Sequence, residues 1–544
     1  MDAGCSSIRQ FSRMLTSAEN PLMSTFKSAS QIRWLGWLFI LFLYMTGASA
    51  APVASLGNSS LNLQFNLKDA SIQHWRLPHL HDSAGQEQDM AVPGEGLFIL
   101  NGQLAGKDLR EWETLAGGWK VRSQTADTLV MVLEHPEQPF TLTKTWHLQA
   151  HDWRSDLDVA VHLESAAVRA DNRLELHIGP GIGESPAQGL GMGQSIYSFT
   201  ELVYQNADGV STQRLGDVQE FSSKDAPGTQ WLGLQSRYLA LILSATNDNA
   251  LASTWQASVP QLPAEQAALA PFLTSVSIQL PVGDSTAPQN FQWSVFGGGK
   301  AYQALTSATP DLGGLLFSSL WNWMRGLSLG IMHALEFIQQ IVGSWGVSII
   351  LLAFLIRLVM YPMAKKTISA QKKFAAIQAR IQPELQEIRK NYKGGEQSER
   401  ILQLYESHQV SPLAGLKPLL IVLVQVPVFV ALFHLLGQTF ELRDASFLWI
   451  RTLAEPDQLF PLGVDLPLFG AYFNLLPVLM AFTTLLSIKL ASVPDGQSAT
   501  RQAISSGIMG LGFFVLFYSF PSGMVLYWTV ANILQVAHQK IAKG

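Results

Sequence analysis

From Gly343 onward the sequence carries apolar runs too long for the elements of a small soluble core: Gly343 to Pro362, Leu416 to Gly437, Tyr472 to Leu490, and Ile504 to Ala537. A membrane-crossing helix needs about 20 such residues, so each of the first three reads as one span. The fourth is too long for one. Phe520-Pro521-Ser522-Gly523 divides it, because Pro and Gly favour a turn from which a second helix returns. The expectation is an α-helical polytopic membrane bundle of five spans at about 343–362, 416–437, 472–490, 503–519 and 523–538. Composition matters only through its distribution. At 48% hydrophobic and a mean hydropathy of +0.17 the chain of 544 residues is close to a soluble protein, and its first half is mixed and polar.

Lys and Arg in the loops set the orientation. Residues 364–417 hold Lys365, Lys366, Lys372, Lys373, Arg380, Arg389, Lys390, Lys393, Arg400 and Lys417, whereas 438–471 holds only Arg443 and Arg451. The first loop is therefore expected on the cytoplasmic side, with Lys489, Arg501, Lys540 and Lys543. Within it, Phe374, Ile377, Ile381, Leu385 and Ile388 make one apolar stripe. Asn391-Tyr392-Lys393-Gly394-Gly395 supplies a turn, and Ile401, Leu402 and Tyr405 make a return stripe. The pattern predicts a cytoplasmic helical hairpin over 364–411, either a docking arm for incoming chains or ribosomes or a basic hairpin lying on anionic membrane lipids.

At the other end, Lys27 and Arg33 precede an apolar run from Trp34 to Met45 and an Ala48-Ser49-Ala50 site. Residues 1–50 read as a signal peptide cleaved after Ala50 or as a retained signal anchor, and Met23 is a possible start. Either reading exports the chain from residue 51 onward. Residues 55–310 alternate with period two, as in Leu61, Leu63, Phe65 and Leu67, or Phe140, Leu142, Trp146 and Leu148, or Leu157, Val159, Val161 and Leu163. Similar runs recur at Leu174 to Ile178, Tyr238 to Leu243, Val276 to Leu280 and Phe291 to Val295, predicting an all-β sandwich. Residues 315–340 then turn helical and amphipathic, fitting the outer membrane interface or a buried connector.

Several chemistries find little support. The one cysteine, Cys5, precedes the exported part, which therefore has no internal disulfide. A net charge of −5 gives no global field for nucleic acid. His79 and His81 flank Leu80 on a strand pattern without a third ligand, so no metal is expected. Asp152, Asp156, Asp158 and Glu184 read as surface carboxylates rather than a sugar-chemistry pair, and Trp112, Trp119, Trp146, Trp153 and Trp231 as core rather than a ligand cleft. No cofactor and no catalytic residue is assigned.

One residue breaks the membrane pattern. Arg357 lies about 18 Å along a helix from Trp345 and about 12 Å from Lys365. Placing Arg near the middle of a span costs about 2.5–3.5 kcal/mol even on the lenient insertion scale. Snorkelling to the inner headgroups is one way to offset that. The other is a hydrated cavity, for which the remaining spans offer Gln425, Asn474, Thr483, Thr484, Ser505, Ser506, Thr529, Asn532 and Gln535, and no carboxylate.

Trp345-Gly346-Val347-Ser348-Ile349-Ile350, Arg357 to Pro362, Ser411-Pro412-Leu413-Ala414-Gly415, Pro418 to Ile421 with Gln425-Val426-Pro427-Val428-Phe429, and Phe520 to Trp528 with Asn532 together resemble the core of the YidC, Oxa and Alb family of membrane protein insertases. The resemblance covers about 343–540. Leu142-Thr143-Lys144-Thr145-Trp146 is similar, less tightly, to the large periplasmic domain of Gram-negative members. The sequence departs from the pattern in its short N-terminal run and at Phe433-His434, where aromatic pairs with Tyr are usual. The resemblance implies a bacterial inner-membrane insertase with a groove open to cytoplasm and lipid, Arg357 at its base, and no enzymatic activity. Its implied partners are nascent membrane proteins, the Sec translocon and the ribosome. A greasy slide beside the groove is assigned to Leu423, Val426, Phe429, Phe433, Met509, Phe513 and Phe517. The alternative is a secondary transporter or channel with an exported ligand-binding domain, which broken paired helices and ionisable relays would mark. A sugar-binding module on a membrane anchor is a further alternative.

Overall fold

In the computed structural model, the described residues are 53–82, 85–150, 152–165, 171–183, 199–215, 220–246, 254–260, 272–283, 285–407, 417–467, 469–490 and 499–541. Side chains at 310, 363–379, 417–425, 490, 499–506, 509, 539 and 541 are not among those described, and the N-terminal segment 1–50 and Glu184 lie outside the described residues.

The alternating runs become strands whose apolar positions point one way. Phe140–Leu148 pairs antiparallel with Arg154–Leu163, Trp146 opposite Leu157, inside a nine-stranded sheet. A six-stranded sheet, including Ile99–Leu104, Arg173–Ile178 and Ser275–Leu280, shares a continuous core with it. A four-stranded sheet containing Asn62–Asn66 and Ser71–His81 packs into the same core. Trp146 is where the layers meet: its ring lies 5.0 Å from Phe98, 6.0 Å from Trp75 and 6.1 Å from Phe65, at edge or tilted angles that rings favour. Trp112, Trp119 and Trp231 are buried as well, so these tryptophans are core.

Lys144, on the same inward row as Leu142 and Trp146, is completely buried. Its ammonium donates to the carbonyls of Ala70 and Phe98, two residues held in the left-handed backbone region at φ 50° and 58°. Burial pushes this amine down to about 7, while burial lifts the nearby Glu113 carboxyl to about 7 against the opposing hydrogen bond from Trp119.

Leu239–Ala245 departs from simple alternation. Leu239, Leu241 and Leu243 face the sandwich core, while Tyr238, Ala240 and Ile242 belong to a second core shared with the C-terminal helices. A strand covered on both faces reads as a continuous apolar run. Close approach reinforces this seam at the end of Gln289–Gly299, where a side chain at Gly299 would meet the Phe440 ring at 2.4 Å and one at Gly298 the Trp153 ring at 2.4 Å.

Helix α1 (Asn322–Val342) begins well after residue 315, behind a 3-10 turn at Pro310–Leu315, and ends on Gly343, whose φ of 72° suits a glycine. Helix α2 (Trp345–Asn391) does not stop where its apolar run stops. It passes through Pro362 and Pro383 as one element of 47 residues, and α3 (Gly394–Ser407) returns along it. Ile381, Leu385 and Leu404 form the contact between them, flanked by Ile388, Ile401 and Tyr405. Leu402, expected in the return stripe, is 47% exposed, because on a 3.6-residue helix the face through Ile401 and Tyr405 runs through Leu404 instead. Four further helices follow the remaining apolar runs: α4 (Lys417–Gln438), α5 (Leu475–Leu490), α6 (Ala499–Phe517) and α7 (Ser522–Ile541). Phe520 and Pro521 lie in the expected break between the last two. Among the described residues, Trp345–Pro362 is one helical stretch long and apolar enough to cross a membrane, with shorter apolar stretches at Val426–Gln438 and Leu475–Lys489.

Candidate functional site

Arg357 is positioned by the two faces of α2. Leu351, Phe354, Leu355, Leu358 and Val359 are exposed and form one stripe, whereas Ile349, Leu352 and Ala353 are buried against the other helices. Arg357 follows Ala353 by one turn and Ile349 by two, so it continues the inward row, and its side chain is half-buried. Tyr527 of α7, itself buried, is close enough to interact electrostatically with the guanidinium. One turn further along, the Tyr361 ring meets the His538 ring of α7 at 5.3 Å, edge to face. Among the described residues no carboxylate lies within ion-pair distance of Arg357. Pro362 lacks the N–H that would bond the carbonyl of Leu358, which leaves an acceptor beside the cation.

The neutral polar residues separate into groups. Asn532 of α7 donates from Nδ2 to Thr484 Oγ1 of α5 at 2.7 Å, and that hydroxyl donates to Met480 O at 2.8 Å. Thr483 and Thr529 also donate back along their own helices, to Met480 O and Val525 O. Gln535 follows on α7, half-buried. Asn474 stands apart. It precedes α5, is 3% exposed, accepts from Gln458 N at 2.9 Å and donates to Tyr518 O at 2.8 Å, so it ties a helix start to its neighbours. Asp457 completes that end by accepting from the N–H groups of Leu475 and Leu476, the cap that a helix N-terminus calls for. The side chains of Gln425, Ser505 and Ser506 lie outside the described ones.

Four of the slide residues, Phe429, Phe433, Phe513 and Phe517, meet in one aromatic cluster. Phe429 lies 5.2 Å from Trp528, Phe433 lies 5.7 Å from Phe520, and Phe513 and Phe517 lie 6.1 Å and 5.7 Å from Trp528. Phe517, at 1% exposed, is a packing residue, whereas Val426 is 47% exposed. Leu423 and Met509 lie outside the described side chains. Trp528, Phe520 and Tyr527 join the site without having been expected there, although the Phe520-to-Trp528 motif contains all three.

His79 and His81 are exposed on one side of their strand, and among the described residues no group of three metal-type ligands occurs. Asp152 pairs with Arg154 at 2.6 Å, and Asp156 and Asp158 accept from Gln149 and Gln292.

A β-rich domain joined to a set of apolar helices, with Arg357 on an inward-facing row among the described residues, defines a two-part protein with a β-rich and a helical region. Residues 337–544 match the family model described as 60Kd inner membrane protein. The chain is 28% identical over 513 residues to the membrane protein insertase YidC of Herminiimonas arsenicoxydans, covering 91% of this chain and 84% of that protein. It is 34% identical over 222 residues to that of Syntrophobacter fumaroxidans, covering 40% of this chain and 38% of the relative. It is also similar to a solved YidC insertase with its first transmembrane domain resolved, at 16% identity and a TM-score of 0.33, over 93% of this chain and 98% of that one. Over most of its length the chain is thus similar to YidC-type membrane protein insertases.

Proposed function

We propose that this protein receives nascent membrane proteins in a hydrated groove among its helices and releases their apolar segments into lipid. The observation that carries the reading is the place of Arg357 on the inward row of a helix whose outward row is wholly apolar. A cation that faces lipid can reach the headgroups only by bending back along its own helix. One that faces the bundle offsets its desolvation with water and neutral polar neighbours, for which Tyr527 and the linked Thr484 and Asn532 are suited. A client's hydrophilic tail entering from the inner side meets this cation, so only the outer half of the bilayer remains to be crossed. Partition of the client's apolar helix into lipid past Val426, Phe429, Phe433 and Phe513 drives the step.

The groove residues in this proposal are Arg357, Gln425, Thr483, Thr484, Ser505, Ser506, Thr529, Asn532 and Gln535, with Asn474 supporting the outer end. Five spans are proposed, with the β-domain in the periplasm and the α2–α3 hairpin in the cytoplasm as a docking arm, working alone or beside the Sec translocon and the ribosome. The charge bias of the loop between 364 and 417 supports that orientation.

The test is client insertion in cells depleted of their own insertase, comparing wild type, Arg357→Lys and Arg357→Ala. For clients with acidic tails the Lys variant is expected to stay within a few-fold of wild type and the Ala variant to fall about tenfold, the equivalent of about 1.4 kcal/mol. Full activity in all three would remove the cation from the mechanism.

A further inference from the structure

The connection between α4 and α5 ends in a two-stranded hairpin, Phe460–Leu466 paired with Gly470–Phe473. No residue of its first strand is buried. A strand that served the protein's own core would bury alternate residues, as Phe140–Leu148 does. Here Phe460, Val464 and Leu466 are 49%, 60% and 42% exposed, with Leu459 and Tyr472 beside them at 39% each. From 458 to 473 the sequence holds one charged residue, Asp465, and no Lys or Arg. An exposed apolar patch of this kind marks a surface that something else covers.

Where the hairpin is held says what covers it. Its base closes at the start of α5, where Leu459 N donates to Phe473 O at 2.9 Å. Near its tip the Phe469 ring lies 6.1 Å from Phe514, on the last turn of α6, and 4.9 Å from Tyr518, just after that turn. The Tyr518 hydroxyl also donates to Tyr472 O at 3.1 Å, so one residue holds both base and tip. The hairpin therefore lies along the level where one helix begins and the other ends, instead of standing away from them. Exposed apolar rows continue from it, with Leu479, Phe482 and Leu485 on α5 and Ile508, Leu511 and Leu516 on α6. A protein strand adding to its edge is disfavoured, because the chain bulges between Pro461 and Leu466 and Pro461 has no N–H to give.

We propose that this hairpin is a foot seated among the headgroups of the outer leaflet, covered by lipid and not by a protein. That placement rests on the membrane reading of α5 and α6 proposed above. Headgroup level fits a two-stranded hairpin better than the hydrocarbon core does, since its outer edges keep unpaired backbone groups that need water. Tyr472 brings the amphipathic ring that collects at this level. With one acidic and no basic side chain, the hold on the membrane is apolar and does not require anionic lipid.

The test uses full-length protein with Cys5→Ser, reconstituted in phosphatidylethanolamine and phosphatidylglycerol liposomes and carrying one fluorophore at Val464→Cys, Phe354→Cys or Glu137→Cys. Quenching is read with a nitroxide on the lipid acyl chain close to the glycerol, and with iodide in the water. Lipid nitroxide is expected to quench the Val464 label about threefold more than the label at Glu137, an exposed site on the β-domain, and iodide to quench it less. Lipid quenching at Phe354, on the exposed row of α2, but not at Val464 overturns the hairpin's role and leaves the membrane reading of the helices standing. No lipid quenching at either position removes that reading and the foot with it. A Val464 label shielded from both quenchers means a protein cover and likewise overturns the inference.

Discussion

Two single residues in the β-domain hold opposite consequences for pH. Glu113 has its folded pKa raised to about 7 from 4.5, so its contribution to stability is present below pH 4.5 and is lost as pH rises toward 7. Lys144 has its folded pKa lowered to about 7 from 10.5, so the unfolded chain binds the extra proton between those values and stability recovers as pH rises above 7. Together they place a shallow minimum near neutrality. Glu113→Gln is expected to flatten the acid side of the profile of melting temperature against pH and to move the start of the alkaline rise to lower pH, because the ionised Glu113 carboxylate holds the Lys144 pKa up. An acid limb of the same slope in this variant would remove Glu113 from the effect. The Lys144 row was visible in the sequence as an apolar alternation, yet its lysine's burial was not. Nothing in a period of two reports that the carbonyls of Ala70 and Phe98 converge on one point from distant parts of the chain.

At the scale of elements, the α2–α3 hairpin rests on few side chains, which makes it a sharp test. Leu404→Ala is expected to destabilise the hairpin by about 2 kcal/mol, the low end for a buried leucine. Leu402→Ala, on the exposed side, is expected to stay within about 0.5 kcal/mol. Limited proteolysis near Asn391 reads both, and equal sensitivity of the two variants would disprove the assigned face. The helices themselves were legible because a long apolar run has few other uses. Their ends were less so: hydropathy stops at Pro362 while the backbone continues, since a proline removes one hydrogen bond without forbidding the next turn. Register within the hairpin is half legible: Ile401 and Tyr405 lie on the packed face as their spacing predicts, but Leu404 rather than Leu402 joins them, because two leucines two positions apart offer the pattern two equivalent choices.

For the whole molecule the informative feature is the junction. Arg237 binds the carbonyls of Gly437 and Ala454, Arg443 binds His81 O and Gln88 Oε1, and an apolar core runs from Ile242 to Leu435 without interruption. Arg443→Ala is expected to cost about 1–3 kcal/mol through the two lost hydrogen bonds and to speed amide exchange in residues 81–90 more than in the sandwich centre. Uniform exchange would mean that the arginine does not couple the parts. The β-rich and the helical region were both legible, because each has its own period. The seam between them stayed hidden, since its residues, such as Tyr238, Ala240 and Ile242, are interleaved with ordinary strand positions.

Helix α2 is about 70 Å long at 1.5 Å per residue, more than twice the roughly 30 Å of bilayer hydrocarbon. The arginine and the hairpin tip are therefore mounted on a single shaft, with Pro362 and Pro383 as its built-in joints. A displacement at the tip would be divided between tilting of the shaft and bending at Pro383 before it reached the guanidinium.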